Sequence, residues 1–354
     1  MVEKNKLFNR LIGELFVLKN RKFGLGKVLA TALLPIAASV MSFSANAQDY
    51  VLNTASTGGT YHPVGTAIAT LSKIKLLPKQ KFSLTAVNSA GSGANVQALA
   101  AGTADFAILQ GLFGSYAASG TGPVTEVQKN LRSVSMLWQN VEQFVIATDK
   151  VDSGTVADIA SMQGESMVMG KENSGTLGSN SVLLGNLNGK PLAEAYSLVH
   201  AGYGPSADAM ANGQAIGGGF PAGPPTGALT KLFASNGDKF TLLSVSEEQL
   251  AKMDGGRNLW TPYTIAANTY PGQDKDVQTI AQPNFLAVNA DVDDEHVYQL
   301  TKTMFENLGF LQAIHPATKA MDVNAALAGL PVPLHPGAAK YYEEVGLTIP
   351  DSLK

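Results

Sequence analysis

The stretch Asn53-Thr-Ala-Ser-Thr-Gly-Gly-Thr-Tyr-His-Pro-Val-Gly65 decides how the rest of the chain is interpreted. It follows a short apolar run, residues 50–52, that predicts a β-strand, and it precedes residues 68–72, whose apolar spacing predicts a helix. Gly58 and Gly59 let the backbone approach a ligand closely because they carry no side chain. The following helix N-terminus presents unpaired N–H groups and partial positive charge, so the turn predicts an anion site. An ordinary strand-to-helix loop would show the same pattern.

The composition predicts a globular chain of about two domains. The sequence has 354 residues, of which 45% are hydrophobic and 15% are charged. These proportions exclude a disordered or fibrous protein, and the length allows a sizeable core.

The first 47 residues have the organisation of a secretory signal peptide. Basic residues at positions 19–27 precede an apolar run at 28–40, and Ala45-Asn46-Ala47 provides a small-residue cleavage site. A membrane anchor is the alternative, but Pro35 interrupts the apolar run, which is short for a span. We therefore expect export to the periplasm with cleavage after Ala47.

Removal of residues 1–47 leaves 18 basic and 26 acidic residues, a formal net charge of −8. Such an acidic surface disfavours nucleic acid and anionic lipid as partners. The sequence contains no cysteine, so the exported chain would have neither disulfides nor a cysteine-linked lipid anchor. No later segment is apolar for long enough to insert into a membrane.

Predicted strands alternate with predicted helices after the opening turn. Residues 82–87 and 106–109 have strand character, and residues 95–101 between them have helix character. This alternation predicts an α/β fold with a parallel-rich sheet. A second small-residue turn, residues 90–95, follows the second strand, at the sheet edge where ligands bind in such folds.

A third turn of this kind indicates a second α/β lobe. Residues 132–137 and 144–147 are predicted strands that lead out of the first lobe, and residues 166–169 begin a new series. Residues 170–179, rich in Gly, Ser and Thr, follow directly. Two lobes that present such turns toward each other predict a ligand cleft between them.

An ordered set of short motifs resembles a known family. The motifs are Ser56-Thr-Gly-Gly-Thr-Tyr61, Gly91-Ser92 with Asn95 and Leu99, Ala101-Gly102 with Asp105 and Gln110, Gly175-Thr176, Pro221-Ala222-Gly223, Tyr270-Pro271-Gly272 and the ending from Pro333 to Gly346. Together they are similar to the TAXI family, the solute-binding subunits of one class of tripartite ATP-independent periplasmic (TRAP) transporters. The motifs extend over essentially the whole mature chain.

The resemblance implies a two-lobed periplasmic-binding-protein fold of type II, with residues 48–142 and 288–354 in lobe I and residues 143–287 in lobe II. It implies a monomer that captures a small carboxylate, such as a glutamate-like amino acid or a 2-oxo-dicarboxylate, and delivers it to TRAP permease subunits. Two departures concern the ligand. His62 stands where an aromatic residue is common, and residues 111–113 stand where a polar or acidic residue is usual.

Few charged side chains are available to hold an anion. Only Arg132 and Arg257 remain in the mature chain, and we expect both to be structural or solvated. Lys171 beside the third turn is a candidate charged partner, and helix N-termini and hydroxyl groups would supply the other contacts. The predicted ligand-binding residues are Thr57, Gly58, Gly59, Thr60, Tyr61, Ser92, Asn95, Gln110, Ser174, Gly175 and Thr176.

Other functions have weaker sequence support. The five histidines show no metal-ligand spacing, so neither a metal nor another cofactor is expected. Residues 202–207 match a dinucleotide fingerprint but follow no clean strand, so we expect a plain turn there. The binding protein of an ABC importer is the main alternative, since it would differ only in its permease. A periplasmic enzyme ranks third because no catalytic group of nucleophile, base and orienting residue can be assembled.

Overall fold

Strands and helices alternate along the part of the chain described by a computed structural model, residues 47–354. The strands are β1 (Gln48–Asn53), β2 (Phe82–Val87), β3 (Phe106–Gln110), β4 (Leu131–Val141), β5 (Phe144–Ala147), β6 (Ser166–Val168), β7 (Ser197–Val199), β8 (Gly217–Gly219), β9 (Phe240–Leu243), β10 (Thr261–Ile265) and β11 (Val277–Asn289). The α-helices are α1 (Tyr61–Lys75), α2 (Leu77–Gln80), α3 (Ser92–Ala100), α4 (Gly111–Ser119), α5 (Ala157–Ser161), α6 (Gly175–Asn188), α7 (Leu192–Ala195), α8 (Tyr203–Ala211), α9 (Gly227–Asn236), α10 (Glu247–Asp254), α11 (Asp294–Glu306), α12 (Leu308–Ile314) and α13 (Pro336–Glu344). Short 3-10 turns are Thr148–Lys150, Gly237–Lys239, Pro316–Ala320, Val323–Ala325 and Asp351–Leu353. The predicted signal peptide, apart from Ala47, lies outside the described residues.

The first sheet has the strand order β10-β11-β3-β1-β2, and β4 also pairs with β11. β1 runs parallel to β2 and β3, as the alternating sequence predicts. β11 runs antiparallel to β3, β4 and β10, so the sheet is mixed. Ile68 of α1, Leu300 of α11 and Tyr342 of α13 meet in the core that covers one face of this sheet.

The second sheet has the strand order β7-β6-β8-β5-β9. Successive side chains of β5 enter different cores, since Phe144 and Ile146 pack on one face and Val145 packs on the other. Successive side chains of a strand point to opposite faces of the sheet, and here the side chains on each face are apolar. Helices therefore cover both faces of the sheet. β8 consists of glycine alone: a Cβ at Gly218 would collide with the backbone carbonyl oxygen of Val168.

The chain crosses between the lobes along β4, β5 and β11. The predicted boundary after residue 142 falls at the connection of β4 to β5, and the one before residue 288 falls inside β11. Residues 261–287 were predicted for lobe II, yet β10 and β11 hydrogen-bond within the first sheet. Ile280 and Ala281 nevertheless pack in the cores of the second lobe, so β11 serves both. The two sheets with covering helices confirm the predicted α/β class.

Candidate ligand-binding site

A small cavity lies between the two lobes where strands end and helices begin. Its volume is ≈ 40 Å³, enough for a few water molecules, so a larger solute requires the lobes or side chains to move. Both lobes contribute to its lining, which consists of Ala55, Ser56, Gly59, Thr60, Tyr61, Ala90, Gly91, Ser92, Gln110, Lys171, Ser174, Gly175, Thr176, Ala201, Gly202, Tyr203, Pro221 and Ala222.

Four helices begin at this cavity. Their first residues, Tyr61 of α1, Ser92 of α3, Gly175 of α6 and Tyr203 of α8, all line it. Of the residues that precede these helices, only Ser174 uses its side chain as a cap. The positive ends of four helix dipoles therefore point at one small volume, and such ends bind anions.

Backbone donors remain available at two of these helix starts. Within residues 47–354, the N–H groups of Ser92, Gly93, Gly175 and Thr176 have no protein hydrogen-bond acceptor. First-turn N–H groups have no intrahelical partner, so an anion in the cavity would satisfy them. Three of these four residues line the cavity, which places the donors where a ligand could use them.

Hydrogen bonds join the two lobes beside the cavity, so the structure shows a closed arrangement of the lobes. Gln110 Nε2 donates to Gly175 O at 3.0 Å, and Thr60 Oγ1 donates to Gly223 O at 2.8 Å. Two backbone bonds add to these contacts: Ala94 N to Asn173 O at 2.9 Å and Ala228 N to Gly58 O at 3.1 Å.

Lys171 is the charged residue of the cavity lining. It is exposed, and it forms no ion pair within the described part of the chain. Both arginines lie outside the lining. Arg132 donates to the carbonyl oxygens of neighbouring residues 129 and 131, and Arg257 donates to Asp254 O at 3.0 Å. Among residues 47–354, an anion in the cavity would thus meet one ammonium group and no guanidinium group.

Two tyrosines form rigid walls of the cavity. The Tyr61 hydroxyl donates to Asn284 Oδ1 at 2.5 Å, and its ring packs edge-on against Trp138. The Tyr203 hydroxyl donates to Pro221 O at 2.5 Å and accepts from Thr176 Oγ1 at 2.8 Å. Burial raises the pKa of both phenols, so neither ionises near neutral pH.

Most of the predicted ligand-binding residues come together at this cavity. Those that line it are Gly59, Thr60, Tyr61, Ser92, Gln110, Ser174, Gly175 and Thr176. Thr57, Gly58 and Asn95 lie outside the lining. Thr57 is exposed, and Gly58 packs where a Cβ would lie 2.8 Å from Gly204 N. The roles of all these residues in binding remain predictions.

Asn95 is used inside lobe I. Its Nδ2 donates to Thr54 O at 2.8 Å and to Ile108 O at 2.9 Å, and its Oδ1 accepts from Ser89 Oγ at 2.6 Å. These bonds tie the second turn to two strands. Sequence reasoning expected a ligand contact here because it identified the correct turn but could not give the direction of the side chain.

We expect Asn95→Ala to destabilise the fold by about 1–3 kcal/mol, because Ile108 O loses this buried donor, whereas Thr54 O keeps the hydrogen bond from Ser89 Oγ. Affinity of the folded protein for its solute should change little. Chemical denaturation measures the first quantity and calorimetry the second. Gln97→Ala, an exposed change on the same helix, is the control. Unchanged stability with lost affinity would instead support the ligand contact.

The start of α8 was missed by sequence reasoning. Residues 202–207 were expected to form a plain turn, but Gly202 and Tyr203 line the cavity at a helix N-terminus. The preceding strand, β7, has three residues, too few for a clear strand pattern. A glycine one or two residues before a tyrosine, as at Gly59 and Tyr61, was the available signal.

Comparison with known proteins identifies the family. Residues 52–346 match the NMT1-like family. The chain belongs to this family. Similar solved structures include the binding protein component of an ABC phosphonate transporter from Pseudomonas aeruginosa, with 10% identity, a TM-score of 0.51 and coverage of 76% of this chain and 78% of that chain. A protein from Bordetella bronchiseptica RB50 has 12% identity, a TM-score of 0.50 and coverage of 86% and 85%.

These likenesses confirm the predicted fold, that of two-lobed periplasmic binding proteins. The family match agrees with the broader prediction of a solute-binding protein, whereas membership of the TAXI family remains a prediction. Among residues 47–354, no helix is both long and apolar enough to cross a membrane. The same residues contain no group of three or more His, Cys, Asp or Glu that could hold a metal ion.

Proposed function

We propose that this protein is a periplasmic solute-binding protein that captures a small anion between its lobes and delivers it to a membrane permease. The observation that carries the proposal is the convergence of four helix N-termini on one lobe-spanning cavity. A structural role alone does not require four such ends to meet at one cavity, two of them with N–H groups that have no acceptor among residues 47–354.

The contacts suit reversible capture. Each helix end stabilises a negative charge by about 0.3–2 kcal/mol, and each hydrogen bond to a charged group adds about 1.5–3 kcal/mol. Neutral backbone donors avoid the desolvation of a buried guanidinium pair. Lys171 attracts the anion electrostatically, and solvent weakens this attraction because the lysine side chain is exposed. The anion can therefore bind and then leave when the lobes part.

Backbone N–H groups hold carboxylate, phosphonate and sulfonate oxygens alike. The helix N-termini alone therefore do not select one of these classes of anion. The resemblance to the TAXI family supports a small carboxylate, such as a glutamate-like amino acid or a 2-oxo-dicarboxylate. The Pseudomonas aeruginosa neighbour, a component of a phosphonate transporter, supports a phosphonate. We propose the shared chemistry, a small solute with at least one ionised oxyanion group.

A thermal-shift screen tests this proposal. The panel contains glutamate, 2-oxoglutarate, methylphosphonate and methanesulfonate, with glutaramide, an uncharged five-carbon diamide, as the matched control. A ligand that binds only the folded state raises its melting temperature, by mass action. We expect at least one oxyanion and no uncharged member to do so. A panel in which only uncharged solutes stabilise the protein would contradict the proposal.

The permease has two candidates. The comparisons favour the ABC-importer alternative, since the phosphonate neighbour is named as an ABC component. The TRAP permease is supported by the ordered motifs alone. Both transporter classes are compatible with the fold, so the neighbouring genes discriminate them: an ATPase gene supports the ABC importer, and a gene for a large multi-span permease without an ATPase supports TRAP.

A further inference from the structure

Glu142 lies where the chain crosses from the first lobe to the second, between β4 and β5. Its side chain is fully buried. β11 holds its backbone on both sides, because Glu142 N donates to Ile280 O at 2.9 Å and Thr279 Oγ1 donates to Glu142 O at 2.7 Å. The carboxyl group is thereby kept inside the crossing of the two lobes.

The carboxyl group of Glu142 has few hydrogen-bond donors or positive charges near it that would stabilise its ionised form. Its Oε1 accepts from Trp260 Nε1 at 2.9 Å, whereas its Oε2 has no hydrogen-bond partner among residues 47–354. No basic side chain in that part of the chain forms an ion pair with it. Burial raises the pKa of Glu142 to about 7. The polar groups of Trp260, Ser179 and Gln282 act in the opposite direction and lower the pKa. The surroundings therefore favour the neutral, protonated form.

Within the described range 47–354, the titratable side chains around Glu142 bring no positive charge. Tyr61 of α1 and Tyr203 of α8 face it as neutral phenols. Asp254, at the end of α10, accepts from Trp260 N at 3.2 Å and is acidic. α6 contributes the uncharged hydroxyl group of Ser179, and β11 contributes the uncharged amide group of Gln282.

A row of buried side chains connects this region with the ligand cavity. Ser179 Oγ accepts from Gln110 Nε2 at 3.1 Å and from Gln282 Nε2 at 2.9 Å. Gln110 also donates to Gly175 O and lines the cavity. Gln110 belongs to the first lobe, whereas Ser179 and Gly175 belong to α6 of the second. The row is therefore complete only when the lobes are closed.

We propose that Glu142 is a proton-binding site coupled to closure of the lobes. The carboxyl group takes up one proton from water when the lobes close around it, and it releases that proton to water when they part. No other bond is made or broken. Coupling of this proton to solute affinity rests on the proposed function, whereas coupling to closure does not.

The direction of the pH effect follows from linkage. Entry of water on opening returns the pKa of Glu142 toward its ordinary value of 4.5, from about 7 in the closed form. Between these two values the closed form binds more protons than the open form. Closure is therefore favoured at low pH, and this advantage is lost as the pH rises through about 7. Solute affinity should fall by up to about tenfold per pH unit across this window and level off above it.

Infrared spectroscopy of the unliganded protein tests the proton site without any solute. We expect a carbonyl band of a protonated carboxyl group that disappears, in the wild type, with a midpoint above pH 4.5 and below pH 7, because open molecules without solute release the proton at a lower pH than the closed form. Glu142→Gln should lack this band, and Glu165→Gln, an exposed change, should retain it. Ser179→Ala removes a neighbour that lowers the pKa, so the midpoint should move upward. If Glu142→Gln does not fold, the comparison of the wild-type and Ser179→Ala midpoints still tests whether the titrating group is Glu142.

Calorimetry at pH 6 with methanesulfonate and with glutamate, each in two buffers of different ionisation enthalpy, tests the coupling to solute. We expect net proton uptake with the wild type and none with Glu142→Gln. If neither probe binds while the infrared band still titrates, the proton site stands and the solute assignment fails. A missing infrared band, or an identical titration in Glu142→Gln, would overturn the proposal.

Discussion

Gly175→Ala should weaken solute binding by about tenfold or more, on the order of 1.4 kcal/mol. A Cβ at this position would lie 2.6 Å from Gln110 Oε1 and 2.9 Å from Ser92 Oγ, both in the first lobe. Gln110 and Ser92 are buried and hydrogen-bonded, so neither can retreat without breaking contacts with its neighbours. The added methyl group therefore holds the lobes apart.

Stability should not fall with affinity in this variant. Gly175 is the first residue of α6, and alanine is a better helix former than glycine. Gly204→Ala is the matched control, because Gly204 also lies in the first turn of a helix and a Cβ there meets nothing within 4 Å. Calorimetry gives the affinity of each variant for the solute. In small-angle scattering at saturating solute, Gly175→Ala should have a larger radius of gyration than the Gly204→Ala control. Wild-type affinity and radius in Gly175→Ala would contradict this explanation of closure.

Lys171→Glu is expected to have the second large effect, a loss of affinity of about tenfold or more. The change places a negative charge at a cavity whose other electrostatic features attract anions. At an effective dielectric constant of about 20, two charges about 6 Å apart interact by roughly 3 kcal/mol, and exposure of the side chain reduces this value. The loss should become smaller as the salt concentration rises, because salt screens exposed charges.

Lys239→Glu makes the same charge change at an exposed position of the second lobe that does not line the cavity. Titrations of both variants at low and high salt separate a local effect from a change in overall charge. Arg132→Lys and Arg257→Lys should leave affinity nearly unchanged, since both guanidinium groups donate to backbone carbonyl oxygens away from the cavity. Equal losses in Lys171→Glu and Lys239→Glu would remove Lys171 from the site.

The parts of the fold that sequence reasoning found have strong local signals. Residues 50–72 combine an apolar strand, a glycine pair and an apolar helix face, and the structure has β1 and α1 there. β8 gave no such signal, because three successive glycines have no side-chain pattern and are required by close packing against β5, β6 and the Asn180 side chain. Tertiary packing, which no local pattern reports, determines that strand.

The candidate site could be predicted where backbone chemistry forms it. Gly175 and Ser92 were found because small residues at a helix start have a local reason to be there. Asn95 was placed in the correct turn, but its side chain points into lobe I. Glu142 gave no signal, because its surroundings come from segments far apart in the chain, among them α6, β11 and the residues around Trp260. Directions of side chains and long-range neighbours depend on the completed fold.

The central claim is that the lobe-spanning cavity binds a small oxyanion through helix N-termini. A crystal structure of the protein with the solute that gives the largest thermal shift tests it most directly. We predict the anionic group within hydrogen-bond distance of the N–H groups of Gly175 and Thr176 of α6 or of Ser92 and Gly93 of α3. The main alternative position is a second cavity of ≈ 560 Å³ lined by Phe113, Tyr116 and Val182. Solute bound there, with the first cavity empty, would contradict the account.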